Sequence, residues 1–177
     1  LVGLLGRDWS IHRVTFKPYP VCAFNQTPVV AALDLRAAAG GRGFAAVRVR
    51  MNPLETGYAG MDATGPFQSI SGTLMSIPFC IASTLVRGEP TLQAMTTYDD
   101  GPVNALTARV ELVPDEGVPR LCCIIDAELS DGARVTAEKM MTTADFNYDR
   151  AAVSRLVRRI GVEQAVPAEA YDRVEAF

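Results

Sequence analysis

The sequence predicts an α+β fold, a two-layer sandwich with helices packed on one face of a mainly antiparallel sheet. Three observations lead there. Strand-like and helix-like patterns take turns through the first half of the chain. Three strand-like runs then cluster in the second half. Asp131-Gly132 sits between two of those runs and is a strong hairpin signal.

Taken in order, "WSIHRVTFKPYP" reads as a strand. Ile11, Val14 and Phe16 give it a partial alternation that ends at Lys17-Pro18. Thr27-Pro28 predicts a helix start, with Thr27 as N-cap and Pro28 at the first helical position. Val29, Ala32, Leu33 and Arg36 share one face of that helix, and Val30, Ala31 and Leu35 widen its apolar stripe. Gly40-Gly41 stops it.

"GFAAVRVRMNP" is the next strand, with Val47 and Val49 facing one way and Arg48 and Arg50 the other. A Gly- and Pro-rich loop follows over residues 52–72. "TLMSIPFCIASTLVRG" predicts a helix closed by Gly88, with Leu74, Ile77, Ile81 and Leu85 recurring at three and four. Pro78 should bend this helix or mark its true start. "PTLQAM" predicts one more short helix.

"ALTARVELV" alternates at Ala108, Val110 and Leu112 and reads as a strand, and "RLCCIIDAELS" and "ARVTAEKMM" flank the hairpin. "DRAAVSRLVRRIG" is an amphipathic helix with Ala152, Val153, Leu156, Val157 and Ile160 inward. Its cations lie late, where they suit the macrodipole. A last short helix is expected over residues 167–177. No repeat or linker divides the pattern, so residues 1–177 are expected to form a single domain.

Composition excludes several functions. Of 177 residues, 49% are hydrophobic and 21% charged, as expected of a globular protein with a substantial core. The net charge of −3 disfavours nucleic acid as a partner, since phosphate neutralisation wants a basic face. No apolar run reaches the roughly 18 residues of a membrane span. "LVGLLG" is apolar but short and lacks the charged leader of a signal peptide. The chain enters mid-pattern without an initiator Met, which suggests a piece of a longer polypeptide. Four cysteines, Cys22, Cys80, Cys122 and Cys123, include no CxxC pair, and buried free thiols of a reducing compartment are expected. His12 is the sole histidine, so a histidine-based metal site or triad is not expected.

The stretch "FKPYPVCAFNQTPVVAALDL", residues 16–35, carries the strongest chemical signal. Pro18 and Pro20 fix two φ angles ahead of a helix start. A helix N-terminus offers free N–H groups and partial positive charge, Lys17 adds a full charge, and Asn25, Gln26 and Thr27 add donors. A carboxylate or phosphate suits such a corner. The same residues equally suit a solvated lysine at a strand end and ordinary caps. "SIPF", residues 76–79, repeats the proline-near-helix-start pattern and equally suits a core helix. Arg48 and Arg50 read as solvated, Asp99-Asp100-Gly101-Pro102 as a turn, and Asp131-Gly132 as a turn alone.

"FKPYPVCAFNQTPVVAALDL" together with "MSIPFCIASTLVRGEPTLQAM" resembles the MmgE/PrpD family of 2-methylcitrate dehydratase, cis-aconitate decarboxylase and iminodisuccinate epimerase. The markers are the KPYP block before a small-residue helix and the SxPY-like helix ending in Gly. The resemblance runs from "LGRDWSI" to at least Asp131-Gly132 and weakens after "EKMMTTADFNYDR". It implies the family's C-terminal α+β domain, with the N-terminal helical domain absent from this chain.

It further implies a cytoplasmic, cofactor-independent and metal-free homodimeric lyase or isomerase, with its site in the cleft between the two domains. Its substrates would be small di- or tricarboxylates, and its chemistry would begin with α-proton abstraction. This chain alone would be inactive. Lys17 matches the family's lysine as the expected catalytic and carboxylate-binding residue. Tyr19, Cys22, Asn25, Gln26, Thr27 and Ser76 are the further expected substrate contacts. Two departures stand out: Cys22-Ala23-Phe24-Asn25-Gln26 holds no histidine where some members have one, and Phe79 replaces a tyrosine. Both lean away from a plain methylcitrate dehydratase or cis-aconitate decarboxylase and towards an epimerase-like member. A stand-alone, non-catalytic carboxylate-binding or assembly domain is the competing expectation.

Overall fold

A computed structural model describes residues 6, 7, 9 and 14–176. The expectations for Ile11 and His12 lie outside the described residues. The chain forms two compact units, one of residues 19–142 and one of residues 1–18 with 143–177.

The unit of residues 19–142 is the α+β sandwich. Its sheet holds β1 (Phe44–Met51), β2 (Val110–Pro114), β3 (Cys122–Leu129) and β4 (Arg134–Met140) in the order β2-β1-β3-β4. β1 runs parallel to β2 and antiparallel to β3, and β3 runs antiparallel to β4, so the sheet is mixed with two antiparallel ladders of three. The period of two in β1 decides its faces: Val47, Val49 and Met51 are buried, while Arg48 is exposed and Arg50 half-buried. Arg48 pairs with Glu111 at 3.0 Å, and Arg50 with Asp126 at 3.4 Å, as expected of a solvated sheet face.

Helices α1 (Gln26–Ala39), α4 (Ile77–Arg87) and α6 (Gly101–Thr107) cover the opposite face. The short helices α2 (Pro53–Thr56), α3 (Ile70–Met75) and α5 (Leu92–Thr96) connect them. Leu35, Ile81, Leu85, Val49, Met51 and Ile125 are all at most 2% exposed and share one core. Gly40 ends α1 in the left-handed conformation, φ 61°, where a glycine carries no Cβ penalty. The expected hairpin forms: Asp131 Oδ1 accepts Ala133 N–H at 3.0 Å, and Gly132 takes φ 82°.

The structure differs from expectation at four places. The chain from Leu74 to Gly88 is two helices rather than one, because Ser76 turns to an extended ψ of 116°; Pro78 marks the true start of α4, one of the two outcomes expected of it. Residues 52–72 contain α2, capped by Asn52 Oδ1 from Leu54 N–H at 3.1 Å. The run "ALTARVELV" is half helix: Asp100 Oδ1 accepts Val103 N–H at 3.3 Å, Pro102 sits in the first turn, and the strand starts only at Val110. The Asp-Gly-Pro turn is thus a helix cap. At the front of the chain, residues 14–17 form no strand, and Phe16 N–H makes a single bond to Phe146 C=O at 2.8 Å.

The other unit holds α7 (Arg150–Gly161) and α8 (Ala168–Glu175). Asp149 caps α7 by accepting Ala152 N–H at 2.7 Å. Arg158 joins the two helices, donating to Asp172 at 2.7 Å and Glu175 at 2.6 Å. Ala152, Val153 and Leu156 are half-buried as expected, but Val157 and Ile160 are 38% and 44% exposed rather than inward. At eight residues α8 spans about 12 Å against about 18 Å for the twelve residues of α7, so it cannot cover the whole stripe. No helix among the described residues is long and apolar enough to cross a membrane.

Candidate functional site

The loop of residues 19–25 and the α3–α4 junction come together, although some fifty residues separate them in sequence. Asn25 joins them. It is fully buried, and its Nδ2 donates to Leu74 C=O at 2.9 Å, Met75 C=O at 3.0 Å and Cys80 Sγ at 3.4 Å. Cys22 N–H donates to the same Leu74 C=O at 3.0 Å. These bonds satisfy the carbonyls that end α3, which its own backbone leaves free.

Gln26 fastens the loop from within. It is 2% exposed, and its Nε2 donates to Tyr19 C=O and Val21 C=O, both at 3.0 Å. Its Oε1 accepts Tyr19 N–H at 3.2 Å. A 3₁₀ turn, Ala23–Asn25, carries the loop into α1. Asn25, not Thr27, is the N-cap, with no side-chain cap bond. Thr27 lies inside the first turn at 1% exposure, and its hydroxyl donates to Leu121 C=O at 2.8 Å. The expected free donors of Asn25, Gln26 and Thr27 are therefore engaged within the protein.

Ser76 is also fully buried. Its Oγ donates to Ala63 C=O and accepts Phe79 N–H at 3.0 Å, capping α4. Phe79, in the same turn, is buried edge-on against Phe67 with ring centroids 5.1 Å apart. Tyr19 and Cys22 are half-buried, and Lys17 is exposed two residues ahead of Tyr19 in the chain. Of the expected contacts, Cys22 and Asn25 thus bond to the α3–α4 junction that Ser76 forms, and Gln26 ties Tyr19 into the same loop.

Burial orders the thiols. All four are free; Cys80, Cys122 and Cys123 are buried. Desolvation pushes the Cys80 thiol far above its ordinary range and the Cys123 thiol up to about 12. Among the described residues no three His, Cys, Asp or Glu side chains are placed to hold a metal.

Two residues the sequence did not single out support this region. Leu121, at φ 61°, is left-handed, which is strained for a branched side chain. Thr27 holds its carbonyl, and fully buried Glu55 accepts its N–H through Oε1 at 2.9 Å. Glu55 Oε2 has no hydrogen-bond partner, and desolvation raises its pKa from the ordinary 4.5. Nothing local in "PLET" or "RLCC" signals this clamp, because its partners lie 66 and 94 positions apart.

No curated protein matches the chain. A family model, the MmgE/PrpD C-terminal domain, matches residues 19–151, which span the whole sandwich and begin two residues after Lys17. The loop, the α3–α4 junction and the sheet all fall within that match, and the chain accordingly belongs to the MmgE/PrpD family through its C-terminal domain.

Proposed function

We propose that this domain forms part of a cofactor-independent lyase or epimerase that acts on small di- or tricarboxylates by abstracting a proton next to a carboxylate. The observation that carries the reading is the loop of residues 19–25, held rigid by Asn25 and Gln26 inside the family match. The family is generally enzymatic, with dehydratases and epimerases among its members.

In this reading Lys17 holds a substrate carboxylate, and Tyr19 and Cys22 face the substrate from the loop. Fixed cations lower the cost of the carbanion-like charge that forms as the α-proton leaves. Asn25, Gln26, Thr27 and Ser76 act as positioning residues, since their side chains bond to the protein itself. A preorganised loop avoids reordering during the reaction.

The test is α-proton exchange in deuterated buffer, followed by proton NMR on the full-length protein with methylcitrate, cis-aconitate and iminodisuccinate. Exchange or turnover with one of them is expected. Lys17→Ala should raise KM at least tenfold. Binding of polycarboxylates without exchange or turnover would favour a non-catalytic binding domain, and no binding at all would end the substrate assignment.

A further inference from the structure

The C-terminal ends of α1, α4 and α6 converge around a groove of about 670 Å³ that no expected site residue lines. Its floor is apolar, with Leu33, Phe44, Leu85, Val86 and Leu106, and it includes Arg36, Arg42 and Arg109 but no carboxylate. Its volume lies in the range that suits a small organic ligand.

Each arginine is anchored by helix-end carbonyls. Arg36 Nη1 donates to Leu85 C=O and Val86 C=O. Arg109 donates from Nε to Ala105 C=O at 3.0 Å and from Nη1 to Ala45 C=O at 2.9 Å. Arg42 donates to Ala39 C=O at 2.7 Å and pairs with Asp131 at 3.4 Å. Capping alone would explain three cations at three helix ends. It leaves two features over. Each helix end carries about half a negative charge at most, so three guanidiniums outweigh three helix ends and Asp131. Arg36 and Arg109 also have no carboxylate partner among the described residues, and each keeps three N–H donors unused. On Arg36 these include the Nε–Nη2 edge that receives a carboxylate side-on.

We propose that this groove binds a small organic anion with an apolar body, such as a medium-chain carboxylate, held by Arg36 and Arg109 over the Leu33–Phe44–Leu85 floor. The site is separate from the loop of residues 19–25. The fourteen residues of α1 place its two ends about 20 Å apart.

The test is calorimetric titration of the full-length protein with octanoate, acetate and octanol. Saturable octanoate binding is expected, at least tenfold tighter than acetate or octanol. Arg36→Gln with Arg109→Gln should weaken it at least tenfold. Because Arg36 also holds the end of α4, Ala37→Glu provides a second variant, placing a carboxylate on an exposed groove position. It should keep the native Tm and lose octanoate. Lys17→Ala should bind octanoate as the native protein does, which distinguishes this groove from a site at the loop. Octanol or acetate binding as tightly as octanoate, or octanoate binding unchanged in a folded Ala37→Glu variant, would overturn the proposal.

Discussion

Gln26 and Tyr19 pair through one side chain as two strands pair through backbone: Gln26 Oε1 accepts Tyr19 N–H at 3.2 Å while Gln26 Nε2 donates to Tyr19 C=O at 3.0 Å. The amide can do this because it carries a donor and an acceptor side by side. Gln26→Glu keeps the shape and reverses the donor, setting a carboxylate against the Tyr19 and Val21 carbonyls. The variant should lose about 3 kcal/mol in urea unfolding. Gln26→Met, which leaves the backbone groups unpaired without adding charge, should lose less.

Asn25→Ala removes the donor shared by Leu74, Met75 and Cys80. The expected loss is about 2 kcal/mol, since the Met75 carbonyl loses the Asn25 donor and the Leu74 carbonyl keeps only Cys22 N–H. Detachment should show locally as well. The Cys22 amide, bonded to Leu74 C=O, should exchange with deuterium at least tenfold faster, while β3 amides stay protected.

Glu55 should make stability fall as pH rises. Its folded pKa lies above 4.5, so the folded state holds the proton more tightly than the unfolded chain. Stability from this group is full below pH 4.5 and declines as pH rises through the folded value. Glu55→Gln retains an oxygen for Leu121 N–H and does not titrate. The difference in unfolding free energy between Glu55→Gln and the native protein should therefore grow with pH above 4.5. A difference that is flat with pH would show that Glu55 titrates alike in both states.

Thiol labelling should be sequential. Cys22 is half-buried, whereas Cys80 and Cys123 are fully enclosed and held protonated. Iodoacetamide at pH 8, followed by peptide mass spectrometry, should modify Cys22 first and the other three only on unfolding. Early labelling of Cys80 would mean that the α3–α4 junction opens in the native state.

Much of this was legible in the sequence. The alternation of β1, the Gly40-Gly41 stop and the Asp131-Gly132 hairpin are short-range patterns with short-range causes, and each holds. The reading failed where a local signal had two meanings. Asp100-Gly101-Pro102 suits a turn and a helix start alike, and burial of Val103 and Leu106 selects the helix. Thr27-Pro28 resembles a cap, yet packing of Thr27 against Leu121 moves the helix start back to Gln26.

The sequence by itself determined the α+β class, the order of most elements and the two stretches that meet at the candidate site. Those follow from periodicity, backbone constraint and family motif, which act within a few residues. Only the tertiary structure decided that Asn25 and Gln26 face inward, that Glu55 and Thr27 clamp Leu121, and that three helix ends gather around Arg36 and Arg109. Each of those depends on which buried carbonyl lies beside which donor, and that is settled only when distant segments pack.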